Sequence, residues 1–249
     1  KRFIPVFQPK IDLRTGRIVG AEALARWKLE SGRIVSPNVF IPVAESTGLI
    51  GEIGAQITRQ ACRAAARWHR LGFMETSVAV NVSPLQFESD DLGAMIINAI
   101  TEAGLPPRLL QLEITESVAV SDPQRLKDMI GPLKTMGVKL AIDDFGTGHS
   151  NLAMLGRLPF DVFKIDRAFI SGLYTDKQAP AIVEMILGMA ETLGMETVAE
   201  GVESEAQEAF LRRRGCDQYQ GYFYSPPVSI EKFIEQLVAD RDKYSANAS

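Results

Sequence analysis

Six separate apolar runs in this chain each stop at a carboxylate, an amide or a lysine, and that recurrence constrains the fold more than any other feature. Ile18 to Ala21 stops at Glu22, Val78 to Val80 at Asn81, Leu110 to Leu112 at Glu113, and Leu140 to Ile142 at Asp143 and Asp144. Val162-Phe163 stops at Lys164, and Thr197 to Ala199 at Glu200. Short β-branched runs alternating with amphipathic helical stretches are the pattern of repeated βα units around a buried parallel sheet. In a (β/α)8 barrel the C-terminal strand ends converge on one mouth, where the fold keeps its chemistry. The expected fold is α/β, a (β/α)8 TIM-type barrel. One polar residue at a strand end would mean little, because loops begin there. Five strands offering oxygen atoms and a sixth offering an ammonium group point to a site.

At 249 residues and 46% hydrophobic, the chain has the length of a single barrel, so residues 1–249 are read as one domain. The start departs from the regular pattern. Phe3 to Leu13 and Ile18 to Trp27 flank Arg14-Thr15-Gly16-Arg17, a connector too short to hold a helix, so the barrel should open with an antiparallel first strand in a hairpin. Ser36-Pro37 starts a helix through Val43 to Glu45, and a second spans about Ile50 to Leu71. Further helices are expected near Asp91 to Ala103, Pro123 to Met136, Ala179 to Leu193, Glu205 to Arg214 and Ile230 to Asp240. Most are closed by a following glycine such as Gly104, Gly137, Gly194 or Gly215. Because residue 1 falls almost on the first strand, a piece cut from a longer multidomain protein is expected.

Twenty-seven basic against 31 acidic residues give a net charge of -4, which argues against duplex DNA as a partner. Cys62 and Cys216 are too few for a disulfide scaffold and read as core thiols of a reduced, cytoplasmic protein.

The groups at the strand ends are all hard. Glu22, Asn81, Glu113, Asp143, Asp144 and Glu200 offer oxygens, none of the runs ends in histidine or cysteine, and such a set selects Mg2+ or Mn2+ over Zn2+. His69, inside a helix, and His149, after a glycine loop, read as packing or surface residues. Asp143-Asp144 is the sharpest local signal. Where the strand gives way to Phe145-Gly146-Thr147-Gly148 the second carboxylate can swing round, so the pair can flank two metals. The competing reading is an Asp-rich turn opening a glycine loop. Lys164 is expected in the same mouth, either in a structural salt bridge or acting on a phosphoryl oxygen or the attacking hydroxide. Arg26, four residues after Glu22 on the same strand face, is an anion contact or a rim salt bridge.

These residues also spell a family. Glu22-Ala23-Leu24, Asn81-Val82-Ser83-Pro84, Glu113-Ile114-Thr115-Glu116, Asp143-Asp144-Phe145-Gly146-Thr147-Gly148, Lys164-Ile165-Asp166, Ala199-Glu200-Gly201-Val202-Glu203 and Gln220-Gly221-Tyr222 occur in that order. Together they resemble the EAL domains of bacterial cyclic di-GMP signalling, from Gln8 to about Pro227. The resemblance implies a phosphodiesterase that cuts cyclic di-GMP to linear pGpG with two Mg2+ or Mn2+ ions per active site, and the larger, looser coordination of Ca2+ predicts inhibition by that ion. It implies Glu22, Asn81, Glu113 and Asp143 as ligands of one metal, and Asp143, Asp144 and Glu200 as ligands of the second. Lys164 and Gln220 match residues near the attacking water, and Glu116 matches the glutamate that holds the loop from Phe145 to Gly148, which links dimerisation to activity. Gln8, Leu24, Arg26, Asp166 and Glu203 match substrate-contacting or supporting positions. A homodimer follows as an expectation, with sensory or GGDEF-type domains upstream and a parent protein that can be anchored in the inner membrane. His149, Asn151 and Ser225-Pro226-Pro227 depart from the commoner pattern without removing a ligand. Two alternatives stand beside this reading: a receptor that binds the dinucleotide without cutting it, and a different metal-dependent barrel enzyme of enolase type.

Overall fold

The computed structural model describes residues 3–145 and 156–246, with the side chains of Asp144, Phe145 and Ala246 outside the description. Strands β1 (Phe3–Asp12) and β2 (Ile18–Lys28) form the expected hairpin, with Gln8 directly opposite Glu22 and Lys10 opposite Gly20. A two-residue strand, β3 (Ile34–Val35), pairs on the outside of β2. Six further strands complete the sheet: β4 (Ser77–Val82), β5 (Leu110–Thr115), β6 (Lys139–Phe145), β7 (Val162–Ile165), β8 (Glu196–Ala199) and β9 (Gln218–Tyr219). From β2 through β9 the pairing of the barrel strands is parallel, while β1 runs antiparallel to both β2 and β9 and closes the ring. The barrel is thus eight-stranded with an antiparallel first strand, as the sequence predicts.

The helices form where the sequence carries starts and stops. The long α2 (Ile50–Arg70), which follows α1 (Pro37–Ser46), turns Ile53, Ile57, Ala61, Ala65 and Trp68 inward at helical spacing, and Trp68 Nε1 donates to the carbonyl of Thr76 at 2.9 Å. Helix α4 (Leu92–Ala103), beyond the single turn α3 (Pro84–Phe87), ends at Gly104 in the left-handed conformation that glycine adopts without a side-chain clash. The short α5 (Glu116–Ser121) leads into α6 (Pro123–Met136), which starts on an Asp122 side chain accepting from Arg125 N–H at 2.9 Å. After α7 (Arg167–Gly172), α8 (Ala179–Leu193) and α9 (Glu205–Arg213), the last helix, α10 (Ile230–Ala246), packs against β1 and α2. There the Phe233 ring meets Trp68 edge-on at 5.0 Å and lies 6.2 Å from Phe7.

The central strands are apolar on the face turned to the helices, while the inward face carries the polar groups of the mouth. Leu110, Leu112, Ile114, Leu140, Ile142, Phe163 and Ile165 are fully buried between barrel and helices, so the sheet is anchored and its strand ends are held in fixed register. A second, smaller cluster of Phe40, Ala44, Ile50, Ile53 and Ile57 seats α1 and the start of α2 on Phe3 and Trp27 of the hairpin. Among the described residues no helix is long and apolar enough to cross a membrane.

Candidate active site

Lys164 is the hub of the barrel mouth. It projects inward from β7 at 1% exposure, with Nζ 2.6 Å from Glu113 Oε2, 2.6 Å from Glu200 Oε1 and 2.8 Å from Asp143 Oδ2. Glu22 Oε1 stands further off, at 4.0 Å. These four carboxylates come from the end of β5, the first residue after β8, the end of β6 and the middle of β2, so a single ammonium group gathers side chains from four strands. Neighbouring strands supply the amides. Asn81 Nδ2 donates to Glu22 Oε1 at 2.6 Å, and Gln220, the first residue after β9, donates from Nε2 to Glu22 Oε2 at 2.5 Å and to Glu200 Oε1 at 3.0 Å. Gln220 Oε1 is buried and has no hydrogen-bond partner among the described residues. A buried acceptor left open at the centre of a polar mouth is suited to a water or ligand donor.

The loops that carry Glu200 and Gln220 are clamped to each other by backbone bonds. Gln220 N–H donates to Ala199 O at 2.9 Å and Val202 N–H to Gln220 O at 3.1 Å. A Cβ at Gly221 would stand 2.0 Å from Val202 O, so only glycine permits this approach.

Two side chains that the sequence reading did not single out belong to the network. Lys10 of β1, 2% exposed, donates to Glu113 Oε1 at 2.8 Å, and Gln111 Nε2 donates to the same oxygen at 3.1 Å. Both lie one side-chain layer deeper in the barrel than Glu113.

The remaining expected residues lie around this centre. Gln8 and Leu24 are half-buried on the hairpin, and Arg26, also half-buried, donates to its neighbour's carbonyl, Ala25 O, at 2.8 Å. Asp166 caps α7 by accepting from Ala168 N–H at 2.8 Å, and Glu203 pairs at the exposed rim with Arg167 Nη2 at 2.7 Å. Glu116 is buried at the first position of α5. The Asp144 side chain, the loop residues Gly146 to Gly148, His149 and Asn151 lie outside the described residues.

Crowded carboxylates do not share one charge state. Burial raises the pKa of Glu113, but Lys10 and Lys164 outweigh burial and hold the carboxyl down at about 2. For Glu200, burial and the charges of Asp143, Glu22 and Glu113 outweigh Lys164 and push it up to about 8. Burial likewise raises Glu22, and although burial opposes charge on Lys164, the surrounding carboxylates hold its pKa well above the ordinary value. The two cysteines are buried away from the mouth, and burial pushes both thiols up to about 12, which leaves them unreactive.

The donor chemistry fits a hard divalent cation. Among the described residues no group of three or more His, Cys, Asp and Glu side chains is already arranged as a metal cage, and the Lys164 ammonium sits among the acids instead. Among the described residues, four carboxylates and an amide facing Lys164 and Lys10 nonetheless leave negative charge in excess, and that excess helps to raise the pKa of Glu200.

This geometry is that of a known class. The family model described as EAL domain matches residues 1–227, and the chain belongs to that family. It is 40% identical over 240 residues to the signaling protein YkoW of Bacillus subtilis, covering 96% of this chain and 30% of that protein. It is 42% identical over 231 residues to the bifunctional diguanylate cyclase/cyclic di-GMP phosphodiesterase MucR of Pseudomonas aeruginosa, covering 93% of this chain and 34% of that protein. The solved structure of the MucR phosphodiesterase in complex with c-di-GMP superposes with a TM-score of 0.89 at 41% identity, covering 93% of this chain and 94% of that one. The chain spans about a third of the length of these curated relatives.

Proposed function

We propose that this chain hydrolyses cyclic di-GMP to linear pGpG with the help of two Mg2+ or Mn2+ ions. The observation that carries the reading is the convergence of Glu113, Asp143 and Glu200 on Lys164, beside the open acceptor of Gln220. Family membership and the likeness to MucR, which is named a cyclic di-GMP phosphodiesterase and solved with c-di-GMP, support the substrate. Membership also sets aside the enolase-type alternative.

Glu22, Asn81, Glu113, Asp143, Asp144 and Glu200 would hold the metals, which supply charge neutralisation at the phosphate and lower the pKa of bound water. The chain's own groups do the positioning. Gln220 Oε1 accepts a hydrogen from the attacking water and fixes its direction. Lys164 Nζ, kept charged by its carboxylates, stabilises negative charge as it develops on phosphoryl oxygen. The water oxygen adds to phosphorus, the bond from phosphorus to one ribose 3′ oxygen breaks, a proton reaches that oxygen, and the product keeps a 5′ phosphate.

Around this centre, Gln8, Leu24, Arg26, Asp166 and Glu203 are proposed to contact or support the dinucleotide. Glu116 is proposed to hold the loop after β6 and to couple a homodimer to the metals, in a parent protein that carries sensory or GGDEF-type domains. The test is chromatography of nucleotides after incubation with cyclic di-GMP and Mg2+, with Ca2+ and chelator as parallel arms. Linear pGpG with Mg2+ and little with Ca2+ or chelator is expected. Intact cyclic di-GMP that stays bound would make the chain a receptor instead.

A further inference from the structure

Glu113 is held by buried ammonium groups from two sides. Its two oxygens face opposite ways: Oε2 meets Lys164 at 2.6 Å, at the level of Asp143 and Glu200, whereas Oε1 is turned down into the barrel toward Lys10 at 2.8 Å and Gln111 at 3.1 Å. Both lower donors are buried, with Lys10 at 2% and Gln111 at 6% exposure, so neither is a mobile surface contact. Lys10 enters from β1, the one strand of the barrel that runs against the others, and stands opposite Gly20, two residues below the Gln8–Glu22 pair. With two donors on Oε1, rotation of the carboxylate would break two buried hydrogen bonds, one of them an ion pair.

We propose that Lys10 is a positioning residue that pins Oε1 of Glu113 to the barrel floor and so presents Oε2 alone, in fixed orientation, to the metal. The inference rests on the metal-dependent reading above. Lys10 touches neither substrate nor reacting atoms and acts only through Glu113, with Gln111 as the weaker second donor. It is an outer-shell role, of the kind whose removal typically costs about tenfold to a hundredfold in metal affinity.

Mn2+ binding to the full 249-residue chain, measured by calorimetry for the unmodified protein, Lys10→Met and Gln111→Leu, tests this. Thermal unfolding in chelator is recorded for each. The expected result is a Kd for Mn2+ raised about tenfold or more in Lys10→Met and by a smaller factor in the same direction in Gln111→Leu. A purely structural lysine would lower the unfolding temperature and leave the Kd of the folded protein unchanged, and that result overturns the proposal. Should Lys10→Met fail to fold, an unchanged Kd in Gln111→Leu overturns it equally. Failure of the unmodified protein to bind Mn2+ would overturn the metal reading itself, a distinct outcome that removes this inference with it.

Discussion

The β5 side of the mouth and its β8 side are built from the same residue type around the same ammonium group, and their carboxyls are shifted in opposite directions. Glu113 and Glu200 both stand 2.6 Å from Lys164 Nζ. Glu113 has a second lysine beneath it and titrates at about 2; Glu200 has only an amide besides Lys164, faces three other carboxylates and titrates at about 8. Distance to the shared cation therefore decides little. What separates the two sides is how many positive and negative neighbours each carboxyl has once water is removed. The β5 side favours the anion and the β8 side favours the protonated carboxyl, which under the proposed function a divalent cation would discharge.

The variant that should disturb both sides most is Lys164→Met, which keeps the stem and removes the charge. Turnover should fall by about a hundredfold to a thousandfold, as for loss of one preorganised charge, while dinucleotide affinity in Ca2+ changes far less. Near-normal turnover would confine Lys164 to a structural salt bridge.

Neutral isosteres should split the two acids. In chelator near pH 7, Glu113→Gln takes the carboxylate from the buried Lys10 ammonium and one of several from Lys164, and should cost about 3 kcal/mol in denaturant unfolding. Glu200→Gln mimics a carboxyl that already carries its proton and should cost about 1 kcal/mol or less. Equal losses would erase the asymmetry.

The pH dependence of metal-free stability follows from the same two groups. Glu200 is raised from 4.5, so the folded state keeps a proton the unfolded chain has lost. Its contribution is complete below about pH 4.5 and is lost as pH rises through about 8. Glu113 is lowered, so its contribution is present above about 4.5 and is lost as pH falls toward 2. Melting curves in chelator should therefore decline on both flanks, and saturating Mg2+ should flatten the alkaline one. An alkaline flank indifferent to Mg2+ would contradict the assignment.

The smallest effect belongs to the rim. Arg167 and Glu203 pair at 2.7 Å, but both are largely in solvent, so Arg167→Ala should change stability by less than about 0.5 kcal/mol.

The features that could be read without coordinates are those with strong local physics. The buried runs of β4 to β8 declare themselves by short, mostly apolar stretches, and the ends of α4, α6 and α8 by Gly104, Gly137 and Gly194, each at positive φ. The short elements could not be read: α3, α5 and α7 span four to six residues and β9 only two, too little for any period to show. Within the site, the strand-end acids and Lys164 followed from position alone. Gln220 was reached only through the family resemblance, because a two-residue strand gives no run for it to end. Lys10, between Pro9 and Ile11, carries the sequence signature of a solvent-facing strand residue. Only closure of the barrel, which places it over Glu113, reveals it as buried.

On the proposed metal-dependent reaction, the mouth should trade a proton on Glu200 for a divalent cation. Calorimetric titration of the protein with Mn2+ at pH 7, repeated in buffers of different ionisation enthalpy, reads that exchange directly. About one proton per protein should be released, falling toward none at pH 9.5, where Glu200 is already ionised. Binding without proton release at pH 7 would contradict it.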